Sequence, residues 1–199
     1  FYQGAKLHFD QVNAQGGVLN RTIEIRPLDD GYEPDRCAAN TRTLINDNVF
    51  ALFGYIGTPT SLAALPLFTQ AKMPFFAPFT GAMGLRKPFN RYAFHVRASY
   101  NDETALIVNQ LTFLGLKKIG VFYQNDAYGQ AGLSGVTLAL AAQKLEPVAR
   151  ATVERNSVDV AAAVKTLVAA APNAIVQIGA YQGCAAFIRA ARKAGYGGT

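Results

Sequence analysis

Four short stretches place glycine beside hydroxyl or phenol side chains directly after an apolar run. The first is Gly54-Tyr55-Ile56-Gly57-Thr58-Pro59-Thr60-Ser61. Pro59 suits the first position of a helix, which makes Thr58 the expected N-cap. A helix N-terminus offers free N–H groups and the positive end of a dipole. Glycine lets a ligand approach the backbone, and the hydroxyls add donors. The combination predicts a receptor for a carboxylate or phosphate; the plainer reading is that Thr58 only caps the helix. No Gly-Lys-Ser/Thr follows, so this is not a Walker A loop. The second stretch is Ala77-Pro78-Phe79-Thr80-Gly81-Ala82. Thr80 and the backbone around Gly81 could meet the same anion or an ammonium, or form an ordinary loop. The third, Gln124-Asn125-Asp126-Ala127-Tyr128-Gly129, and the fourth, Gly179-Ala180-Tyr181, each set a tyrosine just past a buried strand. A ring with a polar tip makes a good clamp over a small organic ligand, and equally a surface-packing group. Phe79 and Tyr55 could line an apolar pocket suited to a hydrophobic or aromatic side chain.

Catalytic sets are not legible. His8 and His95 are far apart with no HExxH, and Ser134 sits in Gly-Leu-Ser-Gly, without the GxSxG spacing of a nucleophile elbow. Asp102 and Glu103 suit the start of a helix rather than an acid–base pair. Asp29-Asp30 reads as a solvated strand end rather than a metal site. Gly129, Gly132 and Gly135 follow GxxGxxG, which fits helix packing or a turn rather than dinucleotide binding. Without a nucleophile, base and orienting group, the residues favour a binding protein over an enzyme.

The elements that must carry these loops alternate. Helices are expected over 3–15, 34–47, 59–70, 102–114, 127–144, 160–171 and 182–194. Strands are expected over 21–28, 49–53, 73–77, 118–123, 147–153 and 174–178, with 78–90 a loop and 91–97 extended. Ala38, Leu44 and Ile45 are the expected buried face of the second helix. Ile107, Leu111 and Leu114 should share a face of the fourth. Such alternation with short connections argues for α/β layers with parallel strands. Ligands of open parallel sheets bind beyond the carboxyl ends of the strands, where all four stretches fall. An extended segment after the longest loop puts a boundary near 98–101, giving an α/β lobe over 1–98 and a second over 99–199.

Composition closes off other classes. The 199 residues are 50% hydrophobic and 16% charged, which excludes a disordered chain. The net charge of +6 is scattered, with no basic run interleaved with stacking aromatics, so nucleic acid is not an expected partner. Cys37 and Cys184 form no CxxC, and two histidines provide no zinc cluster. Cys184 should share a buried helical face with Phe187, Ile188 and Ala191. A disulfide between the two cysteines stays open. Residues 48–71 carry no charge, but Gly54, Gly57, Pro59 and Pro66 break them up, so no transmembrane helix is expected.

Several marks together resemble the periplasmic branched-chain amino acid (Leu/Ile/Val-type) binding proteins of ABC transporters, the type I periplasmic binding proteins. They are Gly4-Ala5 leading into Asp10-Gln11-Val12-Asn13-Ala14-Gln15-Gly16-Gly17-Val18, then Ile23-Glu24-Ile25 with Asp29-Asp30, and Gly54 with the Thr58–Ser61 hydroxyls. Downstream come Asp126-Ala127-Tyr128-Gly129, Gly179-Ala180-Tyr181 and Arg189-Ala190-Ala191-Arg192-Lys193-Ala194-Gly195. The resemblance covers essentially the whole chain. It implies two Rossmann-like α/β lobes with parallel sheets closing on a ligand in the cleft between them. It matches the carboxylate-binding hydroxyl to Thr58 and the second ligand loop to Phe79, Thr80 and Gly81. Without gaps, the family's ligating threonine falls on Gly81, with Thr80 one place early. It matches the second lobe's clamping tyrosines to Tyr128 and Tyr181. The family's ammonium-binding acid would lie past Thr199 and its first strand before Phe1, so the chain is expected to be a fragment or to be completed by another chain. Where some members pair two cysteines, this sequence has Tyr32 and Gly57.

The resemblance implies a periplasmic solute-binding component of an ABC importer. Its ligand would be a small amino acid, branched-chain or hydrophobic/aromatic, or a related carboxylate. Its partner would be the membrane permease, and it needs no cofactor or metal. A ligand-sensing domain of a regulator or receptor is the alternative, and an α/β hydrolase a more remote one.

Overall fold

The computed structural model describes residues 1–199. Seven helices and six strands follow one another as α1 (Tyr2–Ala14), α2 (Pro34–Asn46), β1 (Leu52–Phe53), α3 (Thr58–Gln70), β2 (Phe75–Phe76), β3 (Ala93–Phe94), α4 (Tyr100–Phe113), β4 (Ile119–Gln124), α5 (Ala127–Ala141), β5 (Ala149–Val153), α6 (Ala161–Ala169), β6 (Ala174–Ile178) and α7 (Tyr181–Lys193). A short 3₁₀ turn, Met83–Leu85, interrupts the expected 78–90 loop. The strands form two separate parallel sheets, ordered β1-β2-β3 and β5-β4-β6. The expected α/β architecture with parallel sheets is the one observed.

The second sheet is covered on both faces. Val121 of β4 and Val176 and Ile178 of β6 pack with Val108 of α4 and Leu133, Val136 and Leu140 of α5. On the opposite face, Phe122 and Val153 meet Val164 and Leu167 of α6 and Phe187 and Ala191 of α7. A largely apolar central strand between two helical layers is what parallel sheets require. The GxxGxxG stripe of α5 faces α4 at Gly135 and the sheet at Gly132 and Gly129. A Cβ at Gly135 would come 2.4 Å from Thr104 Oγ1, and one at Gly132 would come 2.6 Å from Ile178 Cγ2. The stripe is therefore a packing surface, one of the two readings its spacing allowed.

The first sheet is thinner. Leu52 and Phe75 pack on Ala64 and Phe68 of α3, with Leu44 of α2 beside them. Its other face is aromatic: Phe53 stacks on Phe76 at 6.2 Å, Phe76 neighbours Phe94 at 6.4 Å, and Phe1 and Phe9 lie against Phe53.

Several expectations need correction. Residues 21–28 are not a strand. Their only ladder-like bonds beyond the Val18–Arg21 bridge join Ile23 N–H and C=O to the Asn13 side chain at 2.7 and 2.9 Å. Alternation makes a strand only where a neighbouring strand supplies donors and acceptors. The strands of the first sheet shrink to two residues each because Gly54 (φ 66°) and Ala77 (φ 54°) turn left-handed just past β1 and β2. The buried face of α4 is Tyr100, Thr104 and Val108, while Ile107 and Leu114 are exposed. The close approach of Gly135 selects the small Thr104 there, and its hydroxyl is satisfied by Tyr100 O at 2.7 Å. In α2 the buried residues are Cys37 and Thr41 rather than Ala38, Leu44 and Ile45, which are half-buried. Ile188 is exposed although Phe187 and Ala191 are buried, and Cys184 packs partly against their cluster. The two cysteines are free.

Candidate functional site

The register of the first sheet brings two hydroxyls together. Past Gly54 and Ala77 the chains pair once more, through the parallel bridge Ile56↔Phe79, with Phe79 N–H to Tyr55 O at 2.7 Å and Gly57 N–H to Phe79 O at 3.3 Å. Thr58 and Thr80 follow side by side, and their hydroxyls share a 2.6 Å hydrogen bond. Thr80 Oγ1 also accepts from Ala82 N–H at 3.2 Å. Of the pair's two protons, one closes the mutual bond and the other is free to donate.

The helix begins one residue earlier than expected. Gly57, at φ 97°, is the N-cap of α3, and Thr58 is its first helical residue. Glycine is required there on two counts: the left-handed φ, and the Tyr32 ring, whose Cε2 would lie 2.1 Å from any Cβ. Thr58 N–H and Thr60 N–H make no backbone bond. The Thr60 hydroxyl is spent on Ile56 O, whereas the buried Ser61 hydroxyl has no partner. The α3 N-terminus thus keeps the unfilled donors and dipole end that suit an anion.

The remaining candidates divide. Gly81 lies beneath the start of α4: its carbonyl accepts Tyr100 N–H at 2.8 Å, and a Cβ on it would come 2.7 Å from the Tyr100 ring. Phe79 is half exposed, with the Arg97 guanidinium 5.1 Å over its ring. Arg97 also lies 5.3 Å from the Tyr100 ring and pairs with Glu103. Tyr100 meets Tyr128 at 5.5 Å. Tyr128 sits in the first turn of α5, capped by Asp126, whose carboxylate accepts Tyr128 N–H at 2.9 Å and Gly129 N–H at 3.3 Å. Burial, then the neighbouring Tyr100, push the Tyr128 hydroxyl well above the ordinary tyrosine range, so it stays a neutral donor. Tyr181, the first residue of α7, is exposed and lines a cavity of ≈ 240 Å³ with Tyr32, Gln124, Glu154 and Asn156. A larger hollow of ≈ 660 Å³ lies between α3 and residues 84–92 and touches none of the candidates. Tyr55 does not line the site. Its ring packs edge-on to Phe75 at 4.8 Å and its hydroxyl meets Thr41 Oγ1 at 2.9 Å, and burial pushes its pKa up to about 12.

Thr58, Phe79, Thr80, Gly81 and, through Tyr100, Tyr128 therefore form one contiguous wall, and Tyr181 stands across a separate cavity. Tyr32 joins the two. Its ring covers Gly57, and its hydroxyl, pushed up to about 12 chiefly by burial, accepts from Gln124 Nε2 at 3.3 Å. In the sequence Tyr32 stands out only as the residue found where relatives carry cysteine. The signal that could have singled it out is the Asp29-Asp30-Gly31 turn before it, whose carboxylates bind Gly31 N–H and Tyr32 N–H at 2.8 Å each. Asp29 and Asp30 thus shape a turn.

Proteins of similar sequence and fold identify the family. The family model described as "Periplasmic binding protein" matches residues 1–199. A substrate-binding periplasmic protein from Ralstonia solanacearum is 33% identical and superposes with a TM-score of 0.91 over 98% of this chain and 56% of its own. A possible leucine/isoleucine/valine-binding protein from Rhodopirellula baltica SH 1 is 35% identical, with a TM-score of 0.88 over 96% of this chain and 53% of its own. The Leu/Ile/Val-binding protein homolog 7 of Brucella melitensis is 22% identical over 204 residues, covering 98% of this chain and 51% of its own. The chain spans about half the length of these relatives. With the sequence match and the parallel-sheet fold in agreement from one end of the chain to the other, it belongs to the periplasmic binding protein family.

Proposed function

We propose that the chain captures a small carboxylate, such as a branched-chain or hydrophobic/aromatic amino acid, in the periplasm and delivers it to the membrane permease of an ABC importer. Residues 1–98 and 99–199 act as two lobes that close over the ligand. The observation that carries this reading is the α3 N-terminus. Two free backbone N–H groups there stand beside the Thr58–Thr80 hydroxyl pair, with its one unspent proton. A carboxylate accepts from these donors and meets the helix dipole with the favourable sign. Phe79 flanks the ligand's apolar part, and Gly81 brings its loop close to Tyr100. Tyr128 and Tyr181 close from the second lobe. The names of the relatives support the amino acid class.

A thermal-shift screen of amino acids and small carboxylates tests the proposal. A ligand at 100 times its Kd stabilises the native state by about 2.7 kcal/mol, a shift of several degrees. The expected result is a shift with a free-carboxylate amino acid that Thr58→Ala abolishes. A shift that survives Thr58→Ala places the carboxylate elsewhere, and no shift across the panel removes the ligand class proposed.

A further inference from the structure

The turn before α2 reaches across to the other sheet. Glu33 occupies the N-cap of α2 but makes no side-chain cap there. Its carboxylate instead accepts from Arg155 Nη2 at 2.7 Å and from Asn156 Nδ2 at 2.8 Å. Asn156 also approaches Gly31 O at 3.3 Å. These partners lie more than 120 residues apart in sequence, the ion pair being separated by 122. The Arg155 guanidinium holds a second carboxylate, Asp126, at 3.5 Å. Asp126 is the residue that caps α5 at Tyr128 and accepts from Gln124 Nε2 at 2.6 Å. One side chain thus connects the start of α2, in the first half, to the turn that carries Tyr128, in the second.

We propose that Glu33–Arg155–Asp126 is an electrostatic latch that holds the two halves closed and so sets how much of the ligand-free protein is binding-competent. This rests on the reading above that the halves move as lobes. Arg155 is a positioning residue. It acts through Asp126 on Tyr128 and through Glu33 on the turn that carries Tyr32. The pair is only partly shielded from water, with side-chain exposures of 24% for Arg155 and 42% for Glu33, so salt weakens it. The apparent Kd of any ligand varies inversely with the closed fraction, so opening the latch weakens binding while every group that touches the ligand is kept.

The test is a distance measurement without ligand. Spin labels are placed at Thr43→Cys on α2 and Lys165→Cys on α6 of the full chain, in a Cys184→Ser background; the native Cys37, 2% exposed, stays unlabelled. Double electron–electron resonance is expected to show a dominant short-distance population. Glu33→Gln and Arg155→Gln should each shift the closed-to-open ratio toward open by about two- to fivefold, the scale of a partly exposed ion pair. One molar salt should do the same to the parent protein and have little effect on either variant. An unchanged distance distribution in folded Arg155→Gln overturns the latch. Should that variant fail to fold, Glu33→Gln, which keeps the side chain's shape and its bond to Asn156, decides by the same reading. No ligand enters the measurement, so its failure is separate from a failure of the carboxylate site, which the Thr58→Ala screen reads.

Discussion

The two sheets of this chain are built to different depths. In the second, strands of six, five and five residues run between two helical layers. Each face is sealed by a cluster of eight buried residues. In the first, three strands of two residues rest on a cluster of four, and the opposite face carries Phe76 and Phe94, each nearly half exposed. Yet the features proposed to bind an anion sit on the thinner sheet. The left-handed turns at Gly54 and Ala77 that cut its strands short are also what bring Thr58 to Thr80. The sheet gives up ladder length where it gains the Thr58–Thr80 hydroxyl pair. The second sheet contributes side chains from strand ends and helix starts without interrupting its own pairing.

Substitutions can break or sharpen that contrast. Phe122 is fully buried and stacked on Phe187 at 4.2 Å. Phe122→Ala should cost about 3–5 kcal/mol in denaturant unfolding, whereas Phe76→Ala, on the open face, should cost about 1 kcal/mol. Equal losses would mean that the two sheets share one cooperative core. Next in size is Gly135→Val on α5. Its Cβ would press on Thr104 Oγ1 at 2.4 Å and Tyr100 O at 3.0 Å, forcing α4 away by overpacking at about 1–3 kcal/mol. The chemical shifts of Tyr100 and Tyr128 should move with it while those of the first sheet stay put. Hydrogen exchange gives a graded reading of the same contrast. The amides of Val121 and Phe122 should exchange only on global unfolding, and those of Phe75 and Ala77 through smaller openings.

The smallest effect concerns the join between the sheets. Ser99 and Asp102 form a reciprocal capping box at the start of α4, with Asp102 N–H to Ser99 Oγ and Ser99 N–H to Asp102 Oδ2 both at 3.2 Å. Ser99→Ala should cost about 1 kcal/mol. The Ser99 bonds hold the Asp102 carboxyl below the ordinary aspartate range. A depressed acid stabilises the fold above its unfolded pKa and loses that contribution as pH falls through the lowered value. The Asp102 carboxyl resonance should therefore titrate at a lower pH in the parent protein than in Ser99→Ala.

Legibility followed the range of the interaction. Helices announced by Pro34, Pro59 and apolar spacing lie within a residue or two of expectation, because their bonds are local. The central strand of the second sheet was readable as a largely apolar run, since β4 is buried along nearly its whole length. Residues 21–28 had a strand's alternation but no partner strand, which no local pattern reveals. The faces of α4 were misjudged because Gly135, a residue on another helix, decides which side packs. Thr58 and Thr80 were legible as candidates from glycine, proline and hydroxyl spacing, but not their mutual bond. That bond depends on the register of two strands whose Cα partners are 23 positions apart, as in Leu52↔Phe75. The sequence marked Tyr32 and Gln124 only in passing and Arg155 not at all, because no local pattern shows that residues so far apart in the chain meet.

A ligand carboxylate is proposed to dock on the α3 N-terminus. Calorimetric titration of the best amino acid from the screen against its methyl ester tests it most directly, since the ester keeps the side chain and ammonium but loses the anion. The account predicts binding of the acid and a loss of at least about 100-fold for the ester, the scale set by losing a charge-assisted hydrogen bond and the helix-dipole attraction together. Equal affinity for acid and ester would contradict it.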